Sequence, residues 1–142
     1  MAMWCGGRRR WWGMASCDVC IGGDDYDFMI HDIEFVVLES DKRCEECRVV
    51  IQAGSMAQQS NWAEGADYEE EPELRYTCSE CAEIRTAFSC GSTEPFGNLW
   101  ELLEENFSDL TMAGECWDEL TAPAKAKLLD RWRKWKGLTH AR

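Results

Sequence analysis

Apolar and polar positions along this 142-residue chain change period several times. Ile33-Glu34-Phe35-Val36-Val37-Leu38 is dense in β-branched and aromatic residues and predicts a strand. Arg48-Val49-Val50-Ile51 predicts another, Ala53-Gly54-Ser55 a turn, and Met56 to Trp62 the return strand. Leu74-Arg75-Tyr76-Thr77 is extended in character. From Ser79 the period lengthens. Cys81, Ile84 and Phe88 fall on one face, with Glu80 in the first turn, so 79–88 predicts a helix. Gly97 to Phe107 predicts a second helix with Leu99, Leu103 and Phe107 on one side, and Gly114 to Leu120 a short third. The last helix begins near Thr121, carries Pro123 in its first turn and ends at Gly137. Leu128, Leu129, Trp132 and Trp135 make its apolar stripe, while Lys125, Arg131, Lys134 and Lys136 cover other faces. Gly22-Gly23-Asp24-Asp25 reads as a turn and Glu64 to Glu73 as an exposed acidic loop. No apolar run approaches the roughly 18–20 residues of a membrane-spanning helix. The start lacks the apolar core of a secretory signal, so export is not expected.

Composition sharpens the problem. Leu, Ile, Val and Phe together number 25 of 142 residues, and the net charge is -12. A share below about 20% with high net charge normally leaves a chain disordered. Eight Trp and nine Cys oppose that reading, so something other than an aliphatic core must hold the chain.

The charge is uneven. Residues 1–13 carry Arg8, Arg9 and Arg10 and no acid, and read as a flexible basic arm or an upstream extension. Residues 124–142 carry seven bases against Asp130, with 138–142 a frayed tail. Between them, 14–123 hold 26 acids against five bases. Such a body repels a phosphate backbone and is suited to a basic protein surface, or is simply solvated.

The cysteines supply the candidate chemistry. Cys17-Asp-Val-Cys20, Cys44-Glu-Glu-Cys47 and Cys78-Ser-Glu-Cys81 are three C-x-x-C pairs. Two residues between thiolates let a tight knuckle aim both sulfurs at one ion about 2.3 Å away, and two knuckles complete a tetrahedron. Cys44, Cys47, Cys78 and Cys81 form the first expected zinc site, with room for a hairpin between the knuckles. Cys17 and Cys20 need two more ligands. Cys90 and Cys116 are the candidates for a second site, His31 can replace one of them, and Cys5 is spare. Ordinary buried thiols and a disulfide framework are the competing readings, the latter requiring an oxidising compartment. Structural zinc contributes roughly 10–16 kcal/mol of folding free energy at neutral pH. It thereby offsets what a small core lacks.

Knuckle, hairpin, then a knuckle opening a helix is the order of a treble clef, with a zinc ribbon as the second choice. The fold class expected is therefore α+β, a small zinc-stapled domain over 14–137 with several C-terminal helices.

The run Cys44-Glu-Glu-Cys47, Ile51-Gln-Ala-Gly54-Ser55 and Tyr76-Thr-Cys78-Ser-Glu-Cys81-Ala-Glu-Ile84-Arg85-Thr-Ala-Phe88-Ser-Cys90 resembles small cysteine-rich, zinc-binding proteins of tailed phages and prophages. The resemblance continues through Phe96-Gly97-Asn98-Leu99-Trp100-Glu101 and Arg131-Trp-Arg-Lys-Trp-Lys136, and so covers about 14–137. Residues 1–13 have no counterpart, and the hairpin is acidic where the family is rich in Gly, Lys and aromatics. The resemblance implies a phage accessory protein in a bacterial cytoplasm and no reaction.

An enzyme is disfavoured. Only His31 and His140 offer imidazoles, there is no metalloprotease or deaminase motif, and four-thiolate zinc has no open position for water. The expectation is a non-enzymatic protein that acts on host machinery by protein–protein contact. It would act as an acidic inhibitor of a defence or nucleic-acid-handling complex, anti-CRISPR-like activity included. Glu69, Glu70, Glu71 and Glu73 and the Trp132 and Trp135 face are the expected contacts. The alternative is a zinc finger that binds nucleic acid through its basic arm or C-terminal helix.

Overall fold

The computed structural model describes residues 21–22, 28–64, 73–89 and 94–137, with the backbone alone at 28–31 and 62–64. The expected basic arm, the tail and most of the acidic loop lie outside the described residues. What is described is a mixed α+β fold of small antiparallel sheets and four α-helices. It divides into two compact units: 28–64 with 73–82, and 21–22 with 83–89 and 94–137.

The first unit holds the strands. β1 (Phe28–Val37), β4 (Met56–Glu64) and β5 (Glu73–Cys78) form an antiparallel sheet in the order β1-β4-β5, while β2 (Lys42–Arg43) and β3 (Val50–Ile51) make a two-residue ladder. The Met56 strand was expected to return along Arg48–Ile51. It lies instead between β1 and β5, with Val37 opposite Met56 and Ala57 opposite Cys78. The reason lies at the turn. Gly54, at φ 90°, donates its N–H to Leu38 O, and the Leu38 N–H donates to Ser55 O, so the chain closes onto β1. The Asp41 carboxylate takes the Ala53 N–H at 2.8 Å and holds the other side of that turn. One bulge interrupts β1, where Asp32 and Ile33 share a single partner position between His31↔Asn61 and Glu34↔Gln59. Asp32 takes φ 55° there, and its carboxylate accepts from Asn61 Nδ2 at 2.8 Å.

α1 (Ser79–Phe88) follows β5 with no loop, and its bounds are those the apolar period predicts. Ser89 closes it, donating N–H and Oγ to Arg85 O. The second unit continues with α2 (Leu99–Asn106), a 3-10 turn (Leu110–Ala113), α3 (Gly114–Asp118) and α4 (Ala122–Trp135). Phe88, Leu99, Leu103 and Leu128 are fully buried, and Trp100 and Phe107 nearly so. Aromatic rings do much of the packing: Phe88 meets Phe107 edge-on at 5.6 Å, and Trp135 lies 6.2 Å from Trp100 and 6.5 Å from Phe107. Arg85 is fully buried with its guanidinium 3.8 Å from the centre of the Phe96 ring. The start of α4 is capped from a distance in sequence. Thr121 donates both its N–H and its hydroxyl to the Glu83 carboxylate. Among the described residues no helix is long and apolar enough to cross a membrane.

Candidate metal centre

The first knuckle grows from the β2–β3 ladder. Cys44 donates its N–H to Val49 O and accepts at its carbonyl from the Arg48 N–H, which folds Glu45, Glu46 and Cys47 into one tight turn. Closing that turn puts Arg48 at φ 68°, a left-handed conformation that favours glycine. The Glu45 N–H donates to Tyr76 O, tying the knuckle to β5. Arg75 reinforces the link by donating to the Glu45 carboxylate at 3.2 Å and to Glu73 at 2.9 Å. Cys78 is the last residue of β5, and Cys81 lies in the first turn of α1. Strand and helix therefore present the second pair as the hairpin presents the first.

The result is a buried cluster. Cys44 and Cys81 are 0% exposed and Cys47 and Cys78 8%, and all four sulfurs lie within 4.8 Å of one another. The Cys47 and Cys78 sulfurs are 3.9 Å apart, against the roughly 3.8 Å edge of a tetrahedron with 2.3 Å metal–sulfur bonds. The donor set thus fits one metal ion. The surrounding backbone is arranged for negative sulfur. Glu46, Cys47 and Cys78 each donate an N–H to Cys44 Sγ, at 3.4, 3.5 and 3.3 Å, and Cys81 donates to Cys78 Sγ at 3.4 Å.

Ionisation follows from this crowding. The Cys44 thiol is lowered from 9.0 to about 6: its bond with Cys47 opposes ionisation, but bonds from Cys78 and Cys81 outweigh it. Cys47 is held well below the ordinary thiol range by hydrogen bonds from Cys44, Cys78 and Cys81. Cys78 and Cys81 are pushed up, first by their bonds with Cys44 and Cys47 and then by burial. Two sulfurs therefore carry charge readily and two resist it. A divalent cation held there would supply the positive charge that lets all four ionise.

The other expected site residues are placed as follows. Cys116 is fully buried in α3, while Cys5, Cys17, Cys20 and Cys90 lie outside the described residues. His31 lies on β1 opposite Asn61, at a position described by backbone alone, and His140 lies outside. Glu69, Glu70 and Glu71 lie outside as well; Glu73 is exposed at the head of β5 and accepts from Arg75. Trp132 and Trp135 are half-buried on α4, with Trp135 packed against Trp100 and Phe107. Sequence reasoning missed the support around the cluster: Arg48 at its left-handed φ, the Arg75–Glu45 tie and the N–H donors to sulfur. Only the last was implicit in the C-x-x-C spacing. No known protein family, curated protein or solved structure matches this chain.

Proposed function

We propose that this protein is a non-enzymatic interaction module stapled by structural zinc and directed at a partner with a basic surface. The buried four-sulfur cluster carries the reading. Four thiolates at tetrahedral spacing suit zinc, and a site closed on all four sides leaves no position for a reacting water. Cys78 ending a strand and Cys81 opening a helix support a treble-clef-like arrangement over a zinc ribbon. A second zinc on Cys17, Cys20, Cys90 and Cys116 belongs to the same proposal, Cys116 being the buried member on α3.

The partner follows from charge. The chain carries -12, and each four-thiolate zinc adds about -2 to the acidic region. A surface that normally holds nucleic acid, on a bacterial defence or transcription complex, is the kind of basic surface such a body fits; the resemblance to phage proteins supports that setting. The second reading, nucleic-acid binding, rests on Arg133 and Lys134, exposed on α4, and on Lys136, exposed just after it.

Elemental analysis of the purified protein should find two zinc ions per chain, falling to one in Cys116→Ala. Fewer than one zinc with oxidised thiols would overturn the metal reading. Affinity capture from a bacterial lysate should retain a nucleic-acid-handling complex, released by salt and by added duplex DNA. The Glu69→Gln/Glu70→Gln/Glu71→Gln/Glu73→Gln variant should associate more slowly and with a shallower salt dependence. Direct binding of plain DNA by the protein at low salt would favour the second reading.

A further inference from the structure

The acidic module leaves one of its sheet edges strongly apolar. β1 lies at the end of the order β1-β4-β5, and among the described residues it pairs only with β4. Ile33, Phe35 and Val37 alternate along it, so they share one face, and they are 46, 51 and 60% exposed. Met56, directly opposite Val37 on β4, is 53% exposed and extends the same stripe. Edge strands are normally blunted by lysine, proline or short length. β1 runs ten residues with neither lysine nor proline, and one bulge is its sole interruption.

We propose that β1 pairs antiparallel with β1 of a second copy of this chain, with Phe35 on the twofold axis. The register follows from the side chains. Centred on Phe35, the ladder sets Phe35 against its own copy, Ile33 against Val37 twice, and Glu34 against Val36. All three apolar residues of both copies then lie on one face of a continuous six-stranded sheet, with opposed Cβ atoms about 4.5–5.5 Å apart. A slip that centres the ladder on Glu34 sets two carboxylates directly opposite. A slip that centres it on Val36 sets Ile33 against Glu39, itself exposed. Charge thus disfavours the Glu34-centred register, and the Val36-centred one puts a carboxylate on the apolar face opposite Ile33, which leaves the Phe35-centred one. Beyond Ile33 the bulge ends the ladder, and at the other end β1 itself stops at Val37.

Size and charge set the strength. Side-by-side contact along five residues covers much less than the roughly 1,200–2,000 Å² of a standard stable interface. Each copy also brings a charge of -12. Association is therefore weak, reversible and strengthened by salt, the opposite of the salt dependence proposed for the basic partner.

Sedimentation of the full, metal-loaded protein at rising concentration tests the pairing, with hydrogen exchange read at 33–37. The expected result is a monomer–dimer equilibrium that tightens at least about threefold from low to high salt, with protection at 33–37 that grows with concentration. Phe35→Lys should weaken dimerisation by about tenfold or more while keeping the native metal content and circular dichroism. Ile33→Lys/Val37→Glu, which sets opposite charges across the axis at both pairs, should dimerise with the salt dependence reversed. Should Phe35→Lys fail to fold, exchange on the unaltered protein decides. A monomer at all concentrations and salt levels would overturn the proposal. Protection at 33–37 that ignores concentration would also overturn it, because another part of this chain would then cover the edge. A dimer constant unmoved by Phe35→Lys would place the contact elsewhere.

Discussion

Arg48 occupies a position that glycine would fill without strain. Its φ of 68° costs an ordinary residue about 1–2 kcal/mol, and the bonds it makes there, its N–H to Cys44 O and its carbonyl from Arg43 Nη1 at 2.6 Å, use its backbone. Arg48→Gly keeps both bonds and loosens the unfolded chain, so a net gain of about 0.5–1 kcal/mol is expected in urea unfolding of the metal-loaded protein. The cysteines make a prediction about protons. Cys44 and Cys47 are lowered, so without metal they favour folding above the unfolded value of 9.0, and for Cys44 that contribution is lost as pH falls through about 6. Cys78 and Cys81 are raised, so they favour folding below 9.0 and lose that contribution as pH rises further. Metal uptake at the Cys44–Cys47–Cys78–Cys81 cluster should displace protons, from Cys78 and Cys81 above all, so the apparent affinity should rise with pH. Metal titrations across pH, with proton release read by calorimetry in buffers of different ionisation enthalpy, check this. An affinity independent of pH would contradict the arrangement described.

Among the elements, α4 depends most on a residue far away in sequence. Its Thr121 N–H and hydroxyl are both taken by Glu83, in the middle of α1. Glu83→Ala leaves those donors to water and should cost about 1–2 kcal/mol; Glu83→Gln, which keeps an acceptor without the charge, should cost about half as much. Within α4 itself, Leu128 is fully buried and Leu129 half-buried. Leu128→Ala should therefore cost about 2–4 kcal/mol and Leu129→Ala less, measured by thermal unfolding at fixed metal. At the knuckle, the Arg75–Glu45 pair is 27% and 19% exposed and links β5 to the first cysteine turn. Partial exposure screens it, so its share of stability is small and its use is to orient the turn.

For the whole molecule, the cluster and the aromatic core belong to different compact units. Cys44, Cys47, Cys78 and Cys81 fall within 25–82, whereas Phe88, Trp100, Leu103, Phe107 and Leu128 fall within 83–142. Cys44→Ser removes a cluster sulfur to which three N–H groups donate. Hydrogen-exchange protection should collapse across 28–64 and 73–82 while persisting in α2 and α4, whose contacts are apolar and aromatic. Uniform loss across both units would show instead that the metal holds the chain as one cooperative body.

The sequence by itself determined the two cysteine pairs, Cys44/Cys47 and Cys78/Cys81, that come together in the cluster, the helix over 79–88 and the approximate spans of α2, α3 and α4. Each of these is written in local spacing: two residues between thiolates, or an apolar residue every three to four positions. The acidic charge was equally legible. Only the tertiary structure decided which strands pair. A period of two says which face a side chain takes and nothing about its neighbour, and the Met56 strand chose β1 and β5 through the Leu38–Ser55 closure. It also decided that Arg48 adopts the left-handed turn and that Glu83 caps a helix 38 residues away. The stripe of Ile33, Phe35 and Val37, apolar enough for a core, faces solvent for the same reason. Burial is set by the balance of packing across the fold, where residues distant in sequence compete for the same surface, and local pattern carries no record of that competition.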